Sequence, residues 1–323
     1  MINAAVVGLG TWGKTMVESL AGGSDLMRFT TLQTRTVTPD VEAFAKQHSL
    51  HVADSYEAVL ADPKIDAAAG KHVYCEKPFT FSRKEAEAAV DAVRKAKRVV
   101  GVGYNRRFHP EMIKLHDRIK AGELGTVQHI EASMTYPNAL FLPPTAWRSN
   151  KSEAPLGGLA PMGVHAIDAM IYLTGEIDTV YCQSFARAVT NGTDDTTSML
   201  FRMKQGMSGY LGTMTTTGAG FSFQVFGTKG WQRLEGVTHV AGAPSEERRT
   251  RQFGVCKFQP VKGPLETWEA EKLDIVRATF EAFARAAEGG PAFPIPPEQI
   301  IHGASVSEAV IRSAASGKVE KVA

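Results

Sequence analysis

Along the first hundred residues, short apolar runs alternate with longer stretches whose apolar residues recur at three- and four-residue spacing. Ile2–Val7 is an unbroken β-prone run, and Lys14–Leu20 after it has helical character. Phe29–Gln33 predicts a second strand, and Pro39–His48 a helix with Val41, Phe44 and Ala45 on one face. Val52–Ala53 predicts a short third strand, and Ser55–Ala61 one or two further helical turns. Val73-Tyr74-Cys75 is again β-prone. Ser82–Lys97 sets Ala86, Ala89, Val90 and Val93 against a charged face, with Ser82 as N-cap and Glu85 in the capping-box position. Val99–Val102 follows as another strand. Strands alternating with helices predict a doubly wound parallel sheet over residues 1–108.

The texture changes beyond that point. Glu111–Ala121 reads as a helix ended by Gly122, and then Val127–Tyr136, Thr179–Ala188, Thr196–Met203, Met207–Thr215 and Gly220–Gly227 read as strands. Many alternate polar with apolar residues, as in an antiparallel sheet with one face solvated or turned towards another subunit. Between the first two, Pro155–Leu173 reads as a glycine-rich entry to a helix that carries His165 and Asp168 on one face. Leu273–Ala287 and Gln299–Ala315 predict closing helices. Residues 109–323 therefore form a second α/β domain with a large, open, mainly antiparallel sheet.

One place breaks the first pattern. A doubly wound sheet needs a further strand and a crossover of at least about 10–12 residues before Val73. Only seven residues, Asp66 to His72, separate Ile65 from Val73. One strand–helix crossover is missing there, and its loss removes a middle strand, exposes sheet edges and endangers a nucleotide site.

The chemistry begins where the first strand ends. Gly8-Leu9-Gly10-Thr11-Trp12-Gly13 lies between that strand and a helix start, which is the setting of a dinucleotide fingerprint. The first glycine permits the tight turn, the second lets backbone approach a pyrophosphate, and the third allows close helix–strand packing. An acid about 20 residues further on would take the ribose hydroxyls of NAD. Here the second strand ends in Thr34-Arg35-Thr36, and an arginine flanked by hydroxyls suits a 2′-phosphate, so NADP is preferred to NAD.

The exit of Val73-Tyr74-Cys75 carries Glu76, Lys77 and Pro78. Strand exits of open parallel sheets are where ligands bind, which makes Lys77 a candidate for handling a proton, against the alternative of an ordinary solvated lysine.

Composition narrows the partners. Lys+Arg 36 against Asp+Glu 34 in 323 residues gives a net charge of +2, with no long block of one sign, which argues against nucleic acid or an anionic membrane as partner. Three cysteines without a C-x-x-C pair indicate neither a disulfide framework nor a zinc site, and a reducing cytoplasm fits. The first residues lack a basic region followed by an apolar signal core, and no apolar run reaches membrane-spanning length.

Taken together, several stretches resemble the Gfo/Idh/MocA oxidoreductases, which include glucose-fructose oxidoreductase and inositol dehydrogenase. They are the glycine fingerprint, Gly70-Lys71-His72-Val73-Tyr74-Cys75-Glu76-Lys77-Pro78, Gly103-Tyr104-Asn105-Arg106-Arg107-Phe108, Trp147-Arg148, Gly163-Val164-His165-Ala166-Ile167-Asp168 and Ser313-Ala314-Ala315-Ser316-Gly317. The resemblance implies a Rossmann domain binding NAD(P), and a C-terminal domain whose open sheet mediates assembly, as a homodimer or homotetramer. It also implies hydride transfer to or from a sugar, cyclitol or related polyol.

By the same resemblance Lys77 holds or polarises the reacting oxygen and His165 is the general acid–base. Glu76 and Lys77 border the cofactor, and Arg106, Trp147, Arg148 and Asp168 face the substrate, with orienting or anchoring the helix as an equal alternative for Asp168. An ammonium next to an imidazole suits that work, since one stabilises alkoxide charge and the other titrates near neutrality. The family often has an aspartate one helical turn before the histidine; this chain has Pro161. The proton relay then runs through His165 and Lys77 alone, or the reaction is altered. A non-catalytic nucleotide-binding subunit that retains the fold is the alternative.

Overall fold

The computed structural model describes residues 1–67, 71–143, 145–151, 153–190, 192–237 and 243–323. The N-terminal half begins with β1 (Ile2–Val7), α1 (Thr11–Leu20), β2 (Met27–Gln33), α2 (Pro39–Gln47), β3 (His51–Val52) and α3 (Tyr56–Ala61). It continues with β4 (Val73–Cys75), α4 (Arg83–Lys95) and β5 (Val100–Val102). Side-chain caps fix the helix starts: Thr38 Oγ1 accepts from Val41 N, and Ser55 Oγ from Ala58 N at 3.1 Å. Ser82 caps α4 as its sequence predicts.

Strands β1, β2 and β3 pair in parallel, and so do β4 and β5, with Cys75 opposite Val102. Among the described residues, what joins the two groups is Ala67. Ala67 bridges Ala4 on one side and His72 on the other, both in parallel sense. The preceding residue anchors it there, since Asp66 N donates to Asn3 O at 2.7 Å and the Asp66 carboxylate accepts from Asn3 N at 2.8 Å. The predicted shortfall is thus met, among the described residues, by the bridges at Ala67, and Val7 at the end of β1 is half exposed. Gly70, within the stretch quoted above, lies outside the described residues.

The C-terminal half contains α5 (Pro110–Lys120), β6 (Val127–Thr135), α6 (Val164–Thr174), β7 (Ile177–Phe185), β8 (Thr196–Met203), β9 (Ser208–Met214), β10 (Gly220–Gly227) and β11 (Gly230–Gly236). After these come α7 (Ser245–Thr250), β12 (Val255–Pro260), β13 (Glu266–Glu269), α8 (Ile275–Ala287), α9 (Pro297–Ser316) and β14 (Glu320–Lys321). Among the described residues nine strands form one sheet in the order β13-β12-β11-β10-β6-β9-β8-β7-β14, antiparallel except for β6 beside β9. Alternation works as expected: Met199, Phe201 and Met203 of β8 are buried while Leu200 faces out, in a row with Tyr181 and Tyr210.

The two halves share one core. Phe280 of α8 packs edge-on against Phe29 of β2 at 5.5 Å and on Tyr74 of β4 at 4.7 Å, with Phe283 beside Tyr74. Burying such a phenylalanine contributes about 1.5–3 kcal/mol. The change of texture near residue 108 therefore marks a change of topology, and the apolar cluster runs across it from Ile2 to Val322.

Candidate active site

The glycine turn has the geometry its spacing predicts. Gly8 sits at φ +89°, a left-handed conformation, and its N–H donates to Gln33 O at 2.8 Å, which seats the turn beside the end of β2. A side chain on Gly13 would collide with Gly8 O, whereas the space above Gly8 and Gly10 is open. Gly10 caps α1 with no side chain, so the first N–H groups of that helix point into this space. A pyrophosphate fits such a cradle by charge and by room. Thr11 is exposed and Trp12 half-buried, while Leu9 goes into the core with Val6, Val17 and Leu32. Thr34 and Arg35 follow the end of β2, with Arg35 exposed.

Glu76 and Lys77 leave β4 next to the exit of β5. A Cβ on Gly103 would lie 2.5 Å from Glu76 Oε1, so the glycine makes room for this carboxylate. Burial raises the Glu76 pKa, partly countered by Lys77; Trp12 also favours the charged form without closing a full hydrogen bond. Lys77 Nζ donates to the carbonyl of Pro161 at 3.1 Å. Burial pulls the Lys77 pKa down to about 8, opposed by Glu76 and reinforced by Arg106 and Arg148.

Pro161 belongs to a wide helical turn, Leu159–Gly163, that runs straight into α6. His165 stands one turn further on, buried, with its ring edge-on to Tyr104 at 6.4 Å and Nδ1 unpartnered. Burial, then Arg106, then Lys77 hold its pKa well below the usual histidine value, so it is a neutral imidazole with a ring nitrogen unclaimed. Lys77 and His165 thus act on one another, and the place of a carboxylate beside them is taken by a backbone oxygen.

The other expected substrate contacts divide. Arg106 lies in the turn Asn105–Phe108 after β5, buried, stacked over Phe221 at 5.2 Å. Arg148 stands on the turn Trp147–Ser149, exposed, and its charge reaches Lys77. The side chain of Trp147 lies outside the described residues. Asp168 goes elsewhere: its carboxylate accepts two bonds from Arg107, at 2.8 Å from Nε and 2.6 Å from Nη2. Those bonds commit it to holding the frame. Tyr104 and the Pro161 carbonyl join the site without having been assigned to it from sequence; Tyr104 lay within the quoted Gly103–Phe108 stretch, but a backbone carbonyl leaves no sequence signal.

Comparison with known proteins gives two family matches. Residues 67–104 match the oxidoreductase family with an NAD-binding Rossmann fold, and residues 112–233 match the GFO/IDH/MocA C-terminal domain. The rhizopine catabolism protein MocA of Rhizobium meliloti is 33% identical over 232 residues, 69% of this chain and 62% of that protein. A putative NADPH-dependent oxidoreductase from Desulfitobacterium hafniense superposes with a TM-score of 0.86 at 22% identity, covering 99% of this chain and 97% of its own. Levoglucosan dehydrogenase in complex with NADH superposes with a TM-score of 0.82 at 20% identity, covering 100% and 99%. By these matches to both its halves, the chain belongs to the Gfo/Idh/MocA family of NAD(P)-dependent oxidoreductases.

Proposed function

We propose that the protein transfers a hydride to or from a carbinol carbon of a sugar, cyclitol or related polyol, with Lys77 and His165 as its catalytic residues. The observation that carries this reading is the meeting of Lys77 and a neutral His165 at the strand exits next to an open glycine turn. Gly8–Gly13, Thr34, Arg35, Glu76 and Lys77 would hold NADP or NAD, which when bound supplies the hydride acceptor or donor.

In the oxidative direction the substrate loses its C–H as hydride and its O–H as a proton, leaving a carbonyl. His165 takes that proton at a ring nitrogen, and the Lys77 ammonium steadies the charge on the oxygen. Arg106, Trp147 and Arg148 position the polyol. Arg35, exposed and with no acid near the end of β2, supports a preference for NADP through the 2′-phosphate.

Fluorescence titration with NADPH and NADH, then turnover on a polyol and sugar panel, tests the scheme. Lys77→Ala and His165→Ala are expected to abolish turnover while cofactor binding persists in His165→Ala. Full activity in both variants would sink the assignment.

That Ala67 alone, among the described residues, bridges the two groups of strands favours a second reading, a nucleotide-binding subunit without turnover; tight cofactor binding with no hydride transfer across the panel would establish it. The open face of the large sheet, with Phe185 and Leu200 exposed, supports a homodimer or homotetramer, measurable by light scattering. Among the described residues no helix is long and apolar enough to cross a membrane, and the three cysteines are free, which supports a cytoplasmic setting.

A further inference from the structure

Two consecutive arginines, equally buried, are treated in opposite ways. Arg107 is gripped by Asp168 and also donates to Gln299 Oε1 at 2.5 Å. Arg106 is 8% exposed, its Nε is buried without a partner, and among the described residues no acidic group pairs with it. It lies over the face of Phe221, and its charge reaches Lys77 and His165. A buried guanidinium without a counter-charge costs several kcal/mol, so a fold that keeps one does so for a ligand that brings the charge.

The surroundings have the same sign. Lys77 spends its bond on the neutral carbonyl of Pro161, and Arg148 adds its charge from the Trp147–Ser149 turn. Among the described residues the carboxylate acting on this group is Glu76. Lys77 and Arg106 against Glu76 leave the pocket positive before Arg148 is counted. Cofactor phosphates do not supply the missing charge. Their cradle is at the end of β1, on the far side of Ala67 and β4 from β5 in the order of the sheet.

We infer that the substrate carries an anionic group, a carboxylate or a phosphate on the polyol, and that Arg106 receives it as a bidentate partner. The guanidinium fork matches the paired oxygens of either group. This inference rests on the function proposed above, and it narrows that function to sugar acids or sugar phosphates, oriented by Arg106 so that a hydroxyl-bearing carbon meets Lys77 and His165.

Calorimetry decides it. Glucose and galactose, their uronates and their 6-phosphates are titrated into the full chain at fixed ionic strength, with and without NADPH. The anionic sugars are expected to bind at least about tenfold tighter than the neutral ones, the lower end for a hydrogen bond to a charged group. Uronates ahead identify a carboxylate site, and 6-phosphates ahead a phosphate site.

In Arg106→Gln, with circular dichroism unchanged, that advantage is expected to shrink to within about threefold, while Arg106→Lys keeps part of it. Anions binding no tighter than neutral sugars would overturn the inference, as would an equal loss for all ligands in Arg106→Gln. Turnover is read separately. Tight anion binding without oxidation of any sugar would remove the hydride-transfer reading and leave the anion site standing; preferred turnover of neutral polyols would do the reverse.

Discussion

Removing the carboxylate of Asp168 is expected to unfold the frame of the site before it alters the chemistry. Its side chain and that of Arg107 are 5% and 2% exposed, so neither has water to fall back on. Asp168→Ala deletes both side-chain bonds to Arg107 and leaves a guanidinium that keeps the residue-168 carbonyl at 3.4 Å, Gln299 and the face of Tyr172, 5.1 Å away, but no counter-charge among the described residues. Breaking a buried pair from one side costs about 3–5 kcal/mol, a fall in Tm on the order of 5–10 °C.

Urea unfolding followed by circular dichroism, with the slope unchanged, measures that loss. The double variant Asp168→Leu with Arg107→Met is expected to recover most of it, because no charge is then left unpaired. Below the melting range, KM of Asp168→Ala should stay within about threefold of the parent, since a change of 0.65 kcal/mol or less is expected where no contact is lost. A loss below about 1 kcal/mol together with a tenfold rise in KM would refute this reasoning and return Asp168 to the substrate.

Three other outcomes follow from the geometry. With Lys77 titrating at about 8, kcat/KM for polyol oxidation should fall as pH rises through 8, because the ammonium that steadies the oxygen is lost; a profile flat to pH 10 would count against that role. His109 is fully buried as the N-cap of α5, its Nδ1 accepting from Glu111 N, and burial lowers its pKa to about 4. The folded state therefore refuses a proton that the unfolded state takes, stability should drop by about 3 kcal/mol as pH falls from 6.5 to 4, and His109→Asn should flatten that slope in denaturant titrations. Gly13→Ala drives a methyl group into Gly8 O, so NADPH affinity should fall at least about tenfold with circular dichroism little changed; unaltered affinity would show that the turn does not hold the cofactor.

What the residue pattern revealed and what it hid have physical causes. Elements of the N-terminal half were legible because their periodicity is strict and their caps are local, as at Ser82 and Glu85. Strand β11 was hidden because it turns Gln232 inwards, where Arg118 donates to it at 2.8 Å, so a polar residue occupies a core position. Strand β13 is exposed along most of Glu266–Glu269 and never shows an apolar face, and β14 is two residues long. At the site, glycine spacing and the Glu76-Lys77-Pro78 exit pointed to the ends of β1 and β4, where the structure has an open turn and a buried lysine. The separate fates of Arg106 and Arg107 could not be seen, because they depend on which way one short turn aims two identical side chains.

The bridge at Ala67 has a consequence for the order in which the molecule is made. Among the described residues the two half-sheets meet through Ala67 as at a seam, and α8 lies across that seam like a splint, with Phe280 touching β2 on one side and β4 on the other. The splint is encoded near the far end of the chain. A nascent protein emerging from the ribosome carries its nucleotide-binding half as two loose flaps until residues 275–287 appear, and chains that terminate early should be cleared by proteases rather than persist as a free Rossmann unit.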